Sequence, residues 1–533
     1  MSVSRIGIIG AGVAGLACAI DLAAAGLEVQ LFERAASPGG KLRAVEVDGL
    51  AIDAGPTVFT LRDVFEGLFA DAGARLERHL QLRPATLLAR HVWSSAAGRA
   101  HLAGDAPFSG AGGAGVGTSR AAILDLYADR ERSADAIGVF AGAREAQGFR
   151  RFCADARRVH RILDETFMRR SRPSLLGLCA RVDSLASLWD IRPFVSLWRA
   201  LGGYFRDPRL RQLFGRYATY CGSSPMLAPA TLMLVADVEQ SGVWYVEGGM
   251  RRLAEALAAL ARERGARLHL STGIERIVTH RGRVAALRTV QGEDVPVDAV
   301  VCNADTQALA SGCFGREVAH AVAAIPRARR SLSALTLNLC ARTAGLELAH
   351  HTVFFSDDYR AEFRDVLEHR RLSRNPTIYV CAQDRADTQL TRPGRERLLC
   401  LVNAPADGDE RFNDPQELDA CQESIWATLE AHGLRLERGA VVRTTPADFH
   451  RMFPATGGAL YGPASHGWQA SFKRPGSRSR VPGLYLAGGS AHPGPGVPMA
   501  ALSGRLAAAA ILADCASTVR YPTAATSGGI STP

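Results

Sequence analysis

Near its start the chain carries three glycines and an acid whose spacing suits a phosphate and a ribose. Gly10, Gly12 and Gly15 follow the apolar run 5–9, and Glu33 stands 18 residues after the last of them. Gly10 permits a tight turn, Gly12 lets the backbone approach a pyrophosphate, and Gly15 lets the next helix pack closely. A carboxylate at Glu33 can accept from both ribose hydroxyls and repels a 2′-phosphate. The pattern predicts a dinucleotide of the NAD or FAD type, not NADP.

Strand and helix patterns surround this fingerprint. Residues 5–9 predict a buried strand, 14–25 a helix ended by Gly26, and 27–32 a second strand. The N–H groups and the positive dipole end of such a helix point at the phosphates. The alternatives are a tight turn in an unrelated α/β protein and a signal peptide. The well-spaced acid argues against the first, and glycines within the apolar run argue against the second.

Two further glycine motifs follow the acid. Residues 37–41 are Ser-Pro-Gly-Gly-Lys, and residues 53–57 are Asp-Ala-Gly-Pro-Thr. Gly39 and Gly40 allow a second close backbone approach, and Lys41 can sit on a phosphate. The whole arrangement resembles the flavin amine oxidase and carotenoid desaturase superfamily, in which the first βαβ unit binds the adenosine half of FAD. That family usually has arginine at Lys41, so we expect a weaker phosphate contact of the same sign here.

The C-terminal part extends this resemblance. Residues 488–499 are Gly-Gly-Ser-Ala-His-Pro-Gly-Pro-Gly-Val-Pro-Met, and a helix is predicted over 499–512. Proline suits a first helical turn because its missing N–H would have no partner there. The motif is close to that of bacterial carotenoid desaturases. With Gly-Ala-Leu-Tyr-Gly at 458–462, it most resembles the hydroxycarotenoid 3,4-desaturases, or methoxyneurosporene dehydrogenases. The resemblance covers residues 5 to about 513.

The resemblance implies FAD as the cofactor. It places the adenine at Ile274, the pyrophosphate and ribityl chain along the second glycine pair, and the pyrimidine edge of the flavin at the start of the C-terminal helix. Fixed donors there would stabilise the negative charge of the reduced ring. The predicted cofactor-binding residues are Gly10, Gly12, Val13, Ala14, Gly15, Glu33, Arg34, Gly39, Gly40, Lys41, Gly55, Pro56, Thr57, Ile274, Gly488, Gly489, Val497, Pro498 and Met499. No metal site is predicted.

Catalysis by a side chain is only weakly indicated. Desaturation of a polyene removes a hydride from one carbon and a proton from its neighbour. The cation between these steps is delocalised, so a strong base is unnecessary and orientation matters more. His492 is the candidate base, with capping of its own loop as the alternative. His466 and Glu247 are weaker candidates, and a structural ion pair is the alternative for Glu247.

Size, composition and charge are those of an ordinary globular protein. The 533 residues are 47% hydrophobic and 22% charged, and the length predicts two domains. The net charge of +10 indicates either attraction to anionic lipid or an arginine-rich bias, and nucleic acid is disfavoured. Eleven scattered cysteines without a Cys-x-x-Cys pair argue against a disulfide framework or a zinc site and fit a reducing cytosol. The sequence contains no uninterrupted apolar run of about 18 residues, so no transmembrane helix is predicted.

The cofactor motifs lie in three separated pieces that must fold together. The predicted fold is α/β, with a discontinuous Rossmann-like FAD-binding domain and a second, mixed sheet-plus-helix substrate domain, as in amine oxidase and GDI-like proteins. The FAD-binding domain comprises residues 1–95, 241–310 and 450–516, and the substrate domain comprises 96–240 and 311–449. Glycine-rich residues 104–117 predict a flexible insertion, and residues 517–533 predict a disordered tail.

Residues 165–245 interleave apolar and aromatic side chains with arginines at helical spacing. One interpretation is a set of helices, each with a buried face and a solvated basic face. The other, favoured by the resemblance, is a basic lid that lies on a membrane surface and opens onto an apolar tunnel. With no signal peptide, the expected protein is cytoplasmic and bound peripherally to a membrane.

The expected function is FAD-dependent desaturation of an acyclic, 1-hydroxylated carotenoid at the 3,4 position. The electron acceptor is left unassigned. Alternatives are a phytoene or neurosporene desaturase, a flavin amine oxidase, and a non-enzymatic isoprenoid escort protein. The loop around His492 does not suit the aromatic cage and lysine of amine oxidases. The intact fingerprint argues against an escort protein, which lacks a working flavin site.

Overall fold

Two large β-sheets organise the protein in the computed structural model, which describes residues 4–94, 121–171, 194–385, 394–411 and 414–520. The strands are β1 (Arg5–Ile9), β2 (Glu28–Phe32), β3 (Ala44–Val47), β4 (Leu50–Asp53), β5 (Leu82–Pro84), β6 (Leu87–Trp93), β7 (Ala122–Tyr127), β8 (Trp244–Val246), β9 (Arg267–His269), β10 (Ile274–His280), β11 (Arg283–Thr289), β12 (Asp294–Pro296), β13 (Ala299–Cys302), β14 (Ser333–Gly345), β15 (His351–Phe354), β16 (Ile378–Ala382), β17 (Glu396–Ala404), β18 (Leu434–Thr444) and β19 (Leu484–Leu486). The α-helices are α1 (Val13–Ala24), α2 (Arg62–Asp71), α3 (Leu76–His79), α4 (Arg130–Ala141), α5 (Ala143–Leu163), α6 (Leu197–Leu201), α7 (Pro208–Gly215), α8 (Leu234–Gln240), α9 (Arg251–Glu263), α10 (Thr306–Ala310), α11 (Tyr359–Leu367), α12 (Pro415–Ala431), α13 (Pro446–Met452) and α14 (Val497–Arg520).

The first sheet has five parallel strands in the order β19-β13-β1-β2-β9. In β1, Ile6, Ile8 and Ile9 are all buried, as expected for a central strand covered on both faces. One neighbour comes from the same βαβ unit and the other from far along the chain, since Ile6 pairs with Val29 on one side and with Ala299 on the other. The carboxyl ends of these strands therefore meet at one edge, where a doubly wound sheet binds its ligand.

The second sheet has seven strands in the order β18-β14-β17-β16-β15-β6-β7. Its pairs are antiparallel except β15 with β6. One face is covered by α12, whose Ile425 and Leu429 are buried against the sheet's apolar side chains. The helices of residues 130–240 form a separate aromatic core that includes Phe152, Phe205 and Phe214.

Local signals in the sequence start several of these helices. Asp207, Asp358 and Asp414 each accept a hydrogen bond from a backbone N–H in the first turn of α7, α11 and α12. Thr445 and Asp448 form a capping box at the start of α13. The loops before these helices are thereby held in one geometry.

Helix α14 packs along α1 in the core of the first domain. A Cβ at Gly504 would lie 2.1 Å from the carbonyl oxygen of Ala14, so the two backbones touch. Over Val497–Ala516, α14 is also long and apolar enough to cross a membrane by length and composition alone. A core helix passes the same test, and 44% of that window is buried within the protein.

The observed sheets agree with the predicted α/β architecture, a Rossmann-like sheet beside a mixed sheet-plus-helix region. Every strand of the five-stranded sheet falls within residues 1–95, 241–310 and 450–516, whereas β6, inside the first of these pieces, belongs to the seven-stranded sheet. Helix α14 runs to Arg520, so the first four residues of the segment predicted to be disordered are helical. Residues 104–117 and 521–533 lie outside the described residues.

Candidate functional site

A large cavity is lined by residues of both sheets. It has a volume of about 1510 Å³ and a mostly apolar lining. That volume exceeds the 300–1,000 Å³ of ordinary small-molecule pockets, so it has room for a dinucleotide and a further ligand. The glycine motifs line one part, and side chains of the seven-stranded sheet, such as Leu399 and Leu401, line another.

The glycine fingerprint forms one wall of this cavity. Gly10 has φ +96°, a conformation that glycine adopts without strain. Gly12 is the N-cap of α1, and Gly12, Val13 and Ala14 all line the cavity, so the positive end of the helix faces it. Gly15 does not line the cavity. A Cβ there would lie 2.1 Å from the carbonyl oxygen of Gly10, so Gly15 permits close packing, as its place in the pattern predicts.

Glu33 is held toward the cavity by two backbone hydrogen bonds. Its Oε2 accepts from the N–H of Ala11 and its Oε1 from the N–H of Ala35, both at 2.8 Å. The residue is 8% exposed, and the surface it retains lines the cavity. Each carboxylate oxygen has further lone pairs, which suit the ribose hydroxyls of a dinucleotide.

The second glycine motif, Gly39 and Gly40, packs against the backbone of the fingerprint. The N–H of Gly39 donates to the carbonyl of Ala11 at 2.9 Å, and a Cβ at Gly40 would lie 3.3 Å from the Cα of Gly12. Side chains at these positions would fill the space beside the fingerprint. The backbone therefore forms a narrow cradle of the kind that a pyrophosphate needs.

The two basic residues near this cradle have protein partners. The Lys41 ammonium donates to the carbonyl of Leu460, and burial lowers its pKa. The Arg34 guanidinium donates to the carbonyls of Arg451 and Met452. Both residues line the cavity, but their hydrogen bonds join the N-terminal motifs to residues 451–460. A direct contact of Lys41 with phosphate stays a prediction.

The Asp-x-Gly-Pro motif is tied to the start of α9. The Asp53 carboxylate accepts from the N–H of Met250 at 2.5 Å, and burial raises its pKa. Gly55, Pro56 and Thr57 follow and line the cavity. A Cβ at Gly55 would lie 1.8 Å from the carbonyl oxygen of Lys41, so only glycine fits there.

The C-terminal motif closes the other side. Gly488, Gly489, Val497, Pro498 and Met499 all line the cavity. Helix α14 begins at Val497, two residues before the predicted start, and directs its N-terminus at the cavity. The buried guanidinium of Arg474 donates to the carbonyl of Gly489 at 2.9 Å and to that of Pro463 at 2.7 Å, and burial lowers its pKa to about 10.

The adenine position predicted by the resemblance also borders the cavity. Ile274 begins β10 and lines it together with Gly273, Val290 and Phe314. Val290 is 60% exposed, so this end is open to solvent. Of the nineteen predicted cofactor residues, all but Gly15 line the same cavity. The cradle fits a dinucleotide, and which atoms each residue contacts stays a prediction.

The three candidate catalytic side chains do not line the cavity. His492 is 3% exposed, and its ring packs edge-on against Phe167 at 4.8 Å between centroids, whereas its neighbour Pro493 does line the cavity. His466 is half-buried, and burial lowers its pKa to about 4. Glu247 is exposed, and its N–H donates to the carbonyl of Gln81. A role of His492 as base therefore stays a prediction.

Burial of His492 predicts an acid-sensitive stability. Burial lowers its pKa from 6.5 to about 4, so the unfolded chain binds this proton first. The stabilisation is complete above pH 6.5 and is lost as the pH falls from 6.5 to about 4, to a total of up to ~3 kcal/mol. We expect His492→Gln to lose less stability than the wild type between pH 7 and pH 4.5, measured by urea unfolding. His280→Gln, at an exposed strand position, is the control. An equal loss in the His492 variant and the wild type would contradict the expectation.

Several cavity residues were not predicted from the sequence. Asn303, at the carboxyl end of β13, donates from Nδ2 to the carbonyl of Gly10 at 3.1 Å. Its signal was its place at the end of an apolar strand, since such ends gather at one sheet edge. Arg216, Tyr220 and Glu239 also line the cavity. Helical spacing in the sequence does not show whether the helix face that carries these side chains meets a cavity or bulk water.

A group of potential metal ligands was also unexpected. Single nitrogen or sulfur atoms of His350, His351 and Cys381 lie within 4.8 Å of one another. Hydrogen bonds already engage them, because His351 Nδ1 lies 2.7 Å from the Tyr379 hydroxyl and His350 Nε2 lies 3.6 Å from Cys381 Sγ. His351 Nε2 is buried and has no hydrogen-bond partner among the described residues.

Comparisons with known proteins agree with this geometry. Residues 13–512 match the family described as flavin containing amine oxidoreductase. The chain is 51% identical to a hydroxyneurosporene desaturase of Rubrivivax gelatinosus, over 99% of this chain and 97% of that protein. It is 42% identical to a hydroxyneurosporene desaturase of Cereibacter sphaeroides, over 97% and 99%. Cyclohexylamine oxidase from Brevibacterium oxydans has the same fold, with a TM-score of 0.54 at 14% identity over 96% of this chain and 99% of that one.

Proposed function

The chain belongs to the flavin-containing amine oxidoreductases and, within them, to the bacterial carotenoid desaturases, and from this membership we propose that it is an FAD-dependent desaturase of an acyclic 1-hydroxycarotenoid, forming the double bond at the 3,4 position. The observation that carries the proposal is the cavity of about 1510 Å³, in which a dinucleotide cradle opens directly onto an apolar chamber. A polyene can enter such a chamber, whereas a charged amine would lose its hydration there.

Residues of three motifs would hold the cofactor. Glu33 would accept from the ribose hydroxyls, the backbone of Gly12 and Gly40 would face the pyrophosphate, and the N-terminus of α14 at Val497 would face the ring. FAD, when bound, supplies a two-electron acceptor for a hydride from a C–H bond. We propose FAD and not NAD because the chain belongs to a flavin-containing family and its cavity extends from the fingerprint to the C-terminal motif.

The protein's part in the reaction is orientation and exclusion of water. Apolar side chains such as Leu399 and Leu401, which lie on β17, line the chamber and would hold the polyene in one place. Loss of a hydride leaves a cation delocalised along the conjugated chain, so the neighbouring proton is acidic and needs only a weak acceptor. His492 does not line the cavity, and this position is compatible with such a mechanism.

We also propose that the protein works at a membrane surface, because its substrate is insoluble in water. The net charge of +10 favours anionic lipid, with about 1 kcal/mol for each well-placed base. Phe194, at 77% exposure, is a large apolar side chain beside the cavity and contacts Trp468 at 5.1 Å between ring centroids. This aromatic pair suits a cavity mouth that meets lipid.

The test is conversion of defined carotenoids by the purified protein. With FAD and anionic liposomes, we expect 1-hydroxyneurosporene to gain one double bond, detected by chromatography and by the red shift of its absorption. Neurosporene and phytoene should react at least tenfold more slowly. Efficient conversion of phytoene but not of the hydroxylated substrate would favour the phytoene desaturase alternative. Failure to bind FAD, judged from the flavin absorption band, would favour the escort alternative.

A further inference from the structure

We infer that Arg216, Tyr220 and Glu239 form a polar subsite that binds the hydroxyl group of the substrate beside the bond to be oxidised. This inference rests on the proposed function. The three residues, here named the hydroxyl subsite, all line the large cavity. The class of ligand they take is an alcohol at the end of an otherwise apolar chain.

The subsite is built by two short elements of the helical region. Arg216 and Tyr220 lie four residues apart on the 3₁₀ helix Arg216–Cys221, and Glu239 lies near the end of α8. Tyr379, on β16 of the seven-stranded sheet, stands next to them, with its ring centroid 5.8 Å from Cζ of Arg216. Rigid elements on two sides therefore fix the polar atoms.

The polar groups of the subsite hold one another but are not saturated. Arg216 Nη2 donates to the Tyr220 hydroxyl at 3.0 Å. The hydroxyls of Tyr217 and Tyr220 lie close enough to the Glu239 carboxylate to interact with it. A guanidinium has five N–H donors, and within the described part of the chain no carboxylate forms an ion pair with Arg216. Donors are thus available to an oxygen atom entering from the cavity.

The solvent exposure of these side chains also indicates that a ligand in the cavity can reach them. Arg216, Tyr220 and Glu239 lie deep in the protein, and burial raises the pKa of both Tyr220 and Glu239. Each nevertheless retains intermediate solvent exposure. Part of the surface they keep lines the large cavity, and they also border a small neighbouring cavity of about 20 Å³. Polar groups in an apolar chamber cost free energy unless a ligand or water pairs with them.

The position of the subsite matches the chemistry of the proposed substrate. Its neighbour Tyr379 shares a hydrogen bond of 2.6 Å with Thr57 of the Asp-x-Gly-Pro motif, which lines the cofactor cradle. In a 1-hydroxycarotenoid, three covalent bonds join the hydroxyl oxygen to C3. An enzyme that oxidises the 3,4 bond must therefore hold the hydroxyl close to the cofactor, and this is where the polar side chains lie.

An alcohol needs both a donor and an acceptor, and the subsite offers each. The guanidinium of Arg216 can donate to the hydroxyl oxygen, and Glu239 can accept the hydroxyl proton as a hydrogen bond. A carotene without the hydroxyl leaves these groups facing an apolar methyl-bearing end. A site of this design rejects the analogue that lacks the polar group.

The experiment compares 1-hydroxyneurosporene with neurosporene in wild-type protein, Tyr220→Phe, Glu239→Gln and Arg216→Gln. Two ratios are measured: that of kcat/KM, and that of Kd from quenching of tryptophan fluorescence, which does not depend on turnover. Each ratio is the value for 1-hydroxyneurosporene divided by that for neurosporene. We expect each variant to lower the kcat/KM ratio and to raise the Kd ratio by roughly 10- to 100-fold, mainly through weaker binding of the hydroxylated substrate. Flavin content serves as the folding check.

Tyr217→Phe is the matched control. Tyr217 also interacts with Glu239, but it is 5% exposed and does not line the large cavity. Its variant should keep the wild-type ratios. Unchanged ratios in Tyr220→Phe and Glu239→Gln, or equal losses in Tyr217→Phe and Tyr220→Phe, would overturn the inference and leave the proposed function standing. A wild-type protein without preference for the hydroxylated substrate would overturn the proposed function, and the inference with it.

Discussion

Replacing Gly15 by alanine is expected to abolish flavin binding and to destabilise the protein by about 3 kcal/mol or more, the upper range of overpacking effects. The new methyl group would lie 2.1 Å from the carbonyl oxygen of Gly10 and 2.9 Å from Nδ2 of Asn303. Because the first of these is backbone, α1 must move away from β1. The cavity-lining Gly12 and Ala14 would move with it. Flavin absorption of the purified protein and thermal unfolding both measure the effect.

Gly67→Ala is the control for that substitution. Gly67 also lies inside a helix, α2, but its nearest neighbour would be Nη1 of Arg505 at 3.5 Å, an ordinary contact. Alanine favours a helix over glycine by up to about 1 kcal/mol, so this variant should be as stable as the wild type or slightly more stable. Wild-type flavin content and stability in the Gly15 variant would contradict the close packing described here.

Replacing Glu33 by alanine is expected to weaken flavin binding by at least 100-fold. The change removes the acceptor of two backbone hydrogen bonds, from Ala11 and Ala35, as well as the carboxylate that faces the cavity. Each bond to a charged acceptor contributes about 1.5–3 kcal/mol, so the turn of the fingerprint loses its anchor together with the ligand contact. Equilibrium dialysis of FAD gives the dissociation constant directly.

Two companion variants separate the causes. Glu28→Ala removes an exposed carboxylate from the same strand, β2, and should leave flavin affinity unchanged. Glu33→Gln keeps one acceptor oxygen but presents an amide to the other N–H, so an intermediate affinity is expected. If Glu33→Ala binds FAD as tightly as the wild type, the assignment of this carboxylate to the ribose is wrong.

The backbone geometry of the cradle was predictable because its signals are local. The tight turn at Gly10, the close packing at Gly15 and the distance to Glu33 are properties of a short βαβ segment, and each is encoded within a few residues. The C-terminal motif was predictable for the same reason, although α14 starts at Val497 and extends to Arg520 instead of spanning 499–512.

Features that depend on distant partners were not predictable. The ammonium of Lys41 bonds to the carbonyl of Leu460, far along the chain, so the lysine joins two segments in addition to bordering the cradle. Arg216, Tyr220 and Glu239 come from the helical region and lie beside Tyr379 of β16, whereas their helical spacing in the sequence is equally typical of a solvated face. Only the fold distinguishes a face that meets a cavity from one that meets bulk water.

The five-stranded sheet joins strands from distant parts of the chain, and this affects how the protein folds during synthesis. Ile6 must wait for Ala299 before it gains its partner on one side, and Val300 must wait for Leu484. During synthesis the ribosome therefore releases an apolar strand and helix long before their neighbours exist. Such non-local pairing slows folding and prolongs the exposure of apolar surface that promotes aggregation. We expect the nascent chain to need a chaperone until β19 is released, because the sheet and the C-terminal part of the cofactor site are both incomplete before then.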